Sequence, residues 1–177
     1  MIAHVILDRD GVLNVEAPGG YVLRPADWRW QDGALEALRL LSADLTLSVA
    51  TNQSCIGRGL VDAATIDAVH AQMTAQAANV GARIAGVHRC PHAPESGCPC
   101  RKPKPGLLDA AVTATGIPRA ATVFVGDSAT DLLAARRAGV TPILVRTGKG
   151  RATEATPEAA GVAVFDDLLA FAHGLRR

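Results

Sequence analysis

The sequence predicts an α/β protein, a three-layer, doubly wound parallel sheet with helices on both faces. Three observations lead there. Five short apolar runs recur along the chain with helical patterns between them. The runs are continuously hydrophobic rather than alternating, which marks strands buried on both faces. The chain has 177 residues, enough for one well-packed domain spanning 1–177 and short for two.

The first run, residues 2–7 (IAHVIL), predicts a strand that starts almost at once, with no basic or apolar leader before it. A helical pattern over 33–42 leads to a second strand at 45–50 (LTLSVA). The next helix, over 62–80, sets Ile66, Val69, Met73 and Val80 at steps that make one apolar stripe. A third strand at 84–88 (IAGVH) opens into the one irregular segment, 89–104, rich in Pro, Cys and Gly and read as an organised loop. Beyond it come a helix at 105–116, a strand at 122–126 (TVFVG), a helix at 129–138 and a strand at 142–145 (PILV). A last helix over 166–175 has Asp166 or Asp167 as its N-cap. There is no internal repeat.

Composition narrows the function classes. With 49% hydrophobic residues and only 3% aromatics, the core must be built from Ala, Val, Leu and Ile, and base-stacking platforms are missing. A net charge of +1 argues against nucleic acid as a partner, and no apolar run approaches a membrane span, so the expectation is a cytoplasmic monomer. Three of the four cysteines, Cys90, Cys98 and Cys100, fall within eleven residues, which in a reducing compartment suits metal better than disulfides.

In a doubly wound sheet, ligands bind beyond the carboxyl ends of the strands. Asp8-Arg9-Asp10-Gly11 follows the first strand, Thr51-Asn52-Gln53-Ser54 the second and Gly126-Asp127-Ser128 the fourth. Each alone is an ordinary polar turn. Folded onto one rim, the three supply carboxylates, a hydroxyl and turn amides around one crevice, the hard-oxygen surroundings that Mg²⁺ prefers. Cys90, His92, Cys98 and Cys100 form a Cys₃His set, a closed tetrahedral complement for Zn²⁺.

The motifs DRDGVLN, TNQS and GDSATD resemble those of the haloacid dehalogenase-like (HAD-like) phosphohydrolases, over residues 4–149. With GGYV, IGRG, CPHAP…CPCRKPKPG and VRTGKG, the resemblance narrows to the zinc-containing branch that includes heptose bisphosphate and histidinol-phosphate phosphatases. It implies a phosphatase acting on a small phosphate ester through an aspartyl-phosphate. Asp8 would be the nucleophile and Asp10 the general acid and base, with a raised pKa. Mg²⁺ would sit on Asp8, the Asp10 carbonyl and Asp127. Thr51 and the amide of Asn52 would hold the phosphoryl oxygens, with Lys102 neutralising them. The zinc would be structural, fixing the loop that aims Arg101 and Lys102 at the crevice.

Arg58, in IGRG, and Lys149, in RTGKG, are further candidates for phosphate contact, Arg101 for specificity and Asp131 for a supporting role. His4, His70, His88 and His173 read as ordinary histidines, Cys55 as a buried structural thiol where Gly is frequent, and Lys104 as a solvated charge. Val12 replaces a frequent Thr without touching the chemistry. The intervals after the first two motifs are too short for a large cap, so an open site bordered by loops 15–24 and 55–59 is expected. GGYVLRP, TNQSCIGRG and CRKPKPG look more like the heptose bisphosphate phosphatases, which implies removal of the 7-phosphate of D-glycero-D-manno-heptose 1,7-bisphosphate, with histidinol phosphate or another small sugar phosphate as the alternative. The five residues between His92 and Cys98 make a short zinc loop, a feature shared with the histidinol-phosphate side. The competing class is a zinc-containing binding module without catalysis.

Overall fold

A computed structural model describes residues 1–176. Six parallel strands form one sheet in the order β3-β2-β1-β4-β5-β6. They are β1 (His4–Leu7), β2 (Thr46–Asn52), β3 (Ile84–Cys90), β4 (Thr122–Gly126), β5 (Thr141–Val145) and β6 (Ala163–Phe165). The helices are α1 (Ala34–Ser42), α2 (Ser54–Gly57), α3 (Ala63–Asn79), α4 (Gly106–Thr115), α5 (Ala129–Ala138), α6 (Gly150–Glu154) and α7 (Leu168–Leu175).

Alternation along the strands builds two cores, because successive side chains point to opposite faces. Val5, Leu7, Leu47, Val49, Val123 and Val125 join residues of α1, α3 and α7 on one side. Ile6, Ala50 and Phe124 join residues of α4 and α5 on the other. Both faces of the central strands are thus sealed, as the continuous apolar runs require. On α3 the buried stripe is Ile66, Val69, Met73 and Ala77 with His70 among them; Val80 falls at the C-cap and is only half-buried.

The helix starts follow from capping chemistry. Asp62 accepts a hydrogen bond from the Thr65 amide at the head of α3, and Asp167 accepts one from the Ala170 amide at the head of α7. Three elements were absent from the sequence expectation. Strand β6 has only three residues at a sheet edge, and α2 and α6 are single turns too short to show a helical period. Among the described residues, no helix is long and apolar enough to cross a membrane.

The topology decides where chemistry can occur. From β1 the chain moves outward through β2 and β3, then returns to place β4 on the other side of β1. The C-terminal ends of β1 and β4 therefore flank the switch point of the sheet, where a crevice opens. Leu7 is in register with both Val49 and Val125, so Asp8 leaves the sheet level with Gly126, the last residue of β4, and with Ala50, two residues short of the end of β2.

Candidate active site

A cleft of about 650 Å³ lies at this rim, and Asp8, Asp10, Thr51, Asn52, Arg101, Lys102, Asp127 and Lys149 all line it. Of the residues singled out from the sequence for this site, Arg58 alone is not brought there. It stands exposed at the C-cap of α2, outside the cleft lining, because the single-turn helix carries it away from the strand end.

At the floor, Lys102 Nζ lies 2.7 Å from an oxygen of Asp8 and 2.7 Å from one of Asp131. Burial opposes charge on Lys102, yet the carboxylates of Asp131 and Asp8 hold its pKa above the ordinary lysine value. Asp131 uses its other oxygen to accept from the Ser128 amide and hydroxyl, closing a capping box at the start of α5. Its position is therefore fixed by the helix terminus that it caps.

Asp8, Asp127 and Asp131 bring carboxylate oxygens within 4.8 Å of one another. One lysine cannot balance three carboxylates. Burial and then the neighbouring Asp131 push Asp8 well above the ordinary range against the pull of Lys102, and the same two causes raise Asp127 to about 7. An excess of hard, buried oxygen donors bordering an open cleft fits Mg²⁺. Two glycines leave room for Asp127. A side chain at Gly11 or Gly148, both with positive φ, would meet its carboxylate, and the Lys149 amide donates to the same group at 2.8 Å.

Asp10 differs from the expectation of a raised pKa. Burial favours its neutral form, but the Arg9 guanidinium, with hydrogen bonds from Arg9, Asn14 and Gln53, overcomes that and lowers its pKa. Arg9 Nη2 donates to Oδ1 at 2.9 Å, Asn14 Nδ2 to the same oxygen at 3.0 Å and Gln53 Nε2 to Oδ2 at 2.9 Å. Arg9 itself is fully buried, its other arm 3.1 Å from His70 Nε2 and its carbon 5.8 Å from the Trp28 ring centre. Burial and then Arg9 keep His70 neutral, lowering its pKa to about 4. His70 is thus a partner of Arg9 rather than a ligand.

Asn52 has a second task besides the one expected of its backbone amide. Its side chain is spent on the Lys102 backbone, donating to the carbonyl and accepting from the amide at 3.1 Å each. This reciprocal pair docks the segment after the cysteines onto the end of β2. Lys102 Nζ adds a bond to the Ala50 carbonyl at 3.1 Å. Arg101 lines the cleft beside it, with Nη1 buried and unpartnered among the described residues. Lys149 reaches across the mouth to Glu16 at 2.9 Å, and the Tyr21 hydroxyl meets that of Ser54 at 3.0 Å. Loop 15–24 is thereby tied to the rim at two points.

Cys90, His92, Cys98 and Cys100 converge in the loop after β3. Cys90 Sγ is 3.2 Å from Cys100 Sγ and 3.6 Å from both Cys98 Sγ and His92 Nδ1. Sulfurs bound tetrahedrally to one zinc at about 2.3 Å would stand about 3.8 Å apart, so this donor set fits a closed zinc site. Burial opposes the Cys98 thiolate, but the Arg101 amide and the neighbouring thiols favour it and bring its pKa to about 6. Lys104, expected as a solvated charge, instead ties the loop by donating to the Gly97 and Cys98 carbonyls. Cys55 is fully buried, with burial raising its pKa, as befits a structural thiol.

Arg9, Gln53, Asn14, Glu16 and His70 are the site components that the motifs alone did not single out. Gln53 lies inside a motif and could have been flagged. The Arg9–His70 contact spans 61 residues and leaves no local signal.

Comparison with known proteins places the chain in a family of known fold. A HAD-hydrolase-like family model matches residues 99–171. A D-glycero-β-D-manno-heptose-1,7-bisphosphate 7-phosphatase of Pseudomonas aeruginosa is 43% identical over 172 residues, covering 97% of this chain and 96% of the relative. The protein of that name from Escherichia coli K12 is 38% identical over 168 residues, covering 90% and 85%. The crystal structure of D,D-heptose 1,7-bisphosphate phosphatase from B. bronchiseptica, complexed with magnesium and phosphate, superposes with a TM-score of 0.94 at 41% identity, covering 99% of this chain and 98% of that one. The corresponding enzyme of Burkholderia thailandensis gives 0.73 at 40% identity, with 98% of both chains covered. The chain belongs to the HAD-like phosphatase family, alongside the heptose bisphosphate phosphatases.

Proposed function

We propose that this protein removes the 7-phosphate of D-glycero-D-manno-heptose 1,7-bisphosphate through an aspartyl-phosphate. The observation that carries the chemistry is the buried Asp8–Lys102–Asp131 group at the floor of an open cleft, with Asp127 beside it and Asp10 two residues on. Full-length similarity to heptose bisphosphate phosphatases supports the substrate.

Asp8 attacks phosphorus in line, and its ester is later cleaved by water. Lys102, 2.7 Å from Asp8, stands where negative charge on the phosphoryl group builds up. Thr51 and the Asn52 amide, both at the cleft, donate to the phosphoryl oxygens. Asp10 protonates the leaving alkoxide and then takes a proton from the attacking water. A phosphate arriving beside Asp10 supplies the negative neighbour that raises its pKa against Arg9. Arg101 and Lys149 take the second anionic group of the substrate.

Asp8, the Asp10 carbonyl and Asp127 would hold Mg²⁺, which when bound offsets the charge of carboxylates and phosphate. Cys90, His92, Cys98 and Cys100 would hold Zn²⁺, leaving no open position for substrate. The loop tied by that zinc carries Arg101 and Lys102, so its role is to hold them in place.

The test is a pair of assays comparing kcat/KM for heptose 1,7-bisphosphate and for histidinol phosphate. The heptose ester is expected to be preferred. A clear preference for histidinol phosphate, the reading that the short zinc loop favours, would overturn the substrate. Absence of phosphatase activity on both would overturn the reaction.

A further inference from the structure

Gln53 is fully buried at the end of β2, two residues beyond Thr51, and its amide nitrogen makes two hydrogen bonds. One goes to Asp10 Oδ2 at 2.9 Å and the other to Thr51 Oγ1 at 2.8 Å. An amide nitrogen is donor only, so both of its protons are committed and both partners must accept. The amide orientation is fixed by chemistry as well as position. Turning it over would set a carbonyl oxygen against the Asp10 carboxylate and remove the acceptor that the Cys55 thiol meets at 3.8 Å. The Gln53 backbone is held in turn, its amide donating to the Cys90 carbonyl at 2.8 Å.

Two consequences follow for the cleft. Thr51 accepts from Gln53 and has no other side-chain hydrogen bond among the described residues, so its own proton is available to point into the cleft that it lines. On Asp10, Oδ1 takes both Arg9 and Asn14, while Oδ2 takes only Gln53. That leaves Oδ2 as the oxygen with a position free to carry the proton that a leaving group takes.

We propose that Gln53 is a positioning residue, which aims Asp10 Oδ2 at the leaving oxygen and turns the Thr51 hydroxyl into a donor for the phosphoryl group. This inference rests on the reading of Asp10 as general acid. It differs from that reading in naming the side chain that sets the geometry. A purely structural glutamine would affect every substrate alike, whereas an aiming glutamine matters most where the leaving group needs a proton.

The experiment compares kcat for heptose 1,7-bisphosphate, which leaves as an alkoxide, with kcat for p-nitrophenyl phosphate, whose phenolate leaves without protonation. Gln53→Met is expected to lose about tenfold more kcat on the sugar ester than on the aryl ester. Asp10→Asn is the control and is expected to show the same split more strongly. Thr51→Val should lower both substrates equally. If Asp10→Asn shows the split and Gln53→Met lowers both equally or neither, the role of Gln53 is overturned while that of Asp10 stands. If Asp10→Asn shows no split, the acid assignment itself fails. Should Gln53→Met not fold, Gln53→Asn keeps a shorter amide in the same slot and is held to the same split, and equal losses there would also overturn the proposal.

Discussion

The two donor clusters in this molecule that could hold a cation solve opposite problems. The cleft at the ends of β1 and β4 gathers three buried carboxylates against one lysine and stays open to a 650 Å³ space. The loop after β3 gathers three thiols and an imidazole into a closed set with one side partly exposed. Hard oxygens with room beside them suit an ion that keeps exchanging partners, whereas four soft donors at contact distance suit one that stays. The first arrangement is suited to chemistry. The second is suited to holding a backbone still, and that backbone bears Arg101 and Lys102.

Removing the carboxylate proposed as nucleophile should break the first region outright. Asp8→Asn is expected to lower kcat by about 10⁴-fold or more, with the fold retained by circular dichroism. Substantial residual activity would remove Asp8 from the role proposed for it. Breaking the second region should act at a distance. Cys98→Ser is expected to lower zinc content, reduce kcat/KM by about 10- to 100-fold and expose residues 89–104 to proteolysis. An unchanged activity with zinc lost would separate the loop from the cleft.

Arg101 sharpens the same contrast, because it stands on the zinc loop but lines the cleft. Arg101→Ala is expected to raise KM for the bisphosphate about tenfold while zinc content stays normal, read by steady-state kinetics and metal analysis. The smallest effect is on stability rather than on turnover. Burial and the neighbouring His88 lower His4 to about 4, and burial and Arg9 lower His70 to about 4. Both take up protons more readily in the unfolded chain, so their stabilising contribution is full above the unfolded value of about 6.5 and falls as pH drops towards 4. Urea unfolding at pH 7.5 and pH 5.5 should show His70→Gln losing about 1.4 kcal/mol less between the two pH values than the wild type, a difference in which the opposite contribution of the raised Asp8 and Asp127 cancels.

How much of this was legible in the sequence depends on where each signal is stored. Strands such as Thr122–Gly126 are buried on both faces, so their apolar runs stand out, and polar residues immediately after them mark the rim. The three-residue strand β6 is too short for such a run. Within the cleft, the strand-end residues could be gathered by topology alone. What topology cannot give is the direction of a side chain. Arg9 neighbours Asp10 in sequence, yet only the folded turn shows its guanidinium curling back to hold that carboxylate. Asn52 likewise turns its side chain to the Lys102 backbone, and Arg58 is carried outward by a helix of one turn.

The hydrogen-bonded pair between Asn52 and the Lys102 backbone has a further consequence for engineering. It anchors the Lys102 end of the cysteine–histidine loop to the sheet independently of the tip at Pro94–Ser96, whose residues are all exposed. Chain added at that tip would be absorbed outside the anchored segment, as exposed loop tips generally allow. Because His92 and Cys98 flank that tip, an added peptide is expected to leave turnover unchanged only while those two side chains keep their places in the cluster.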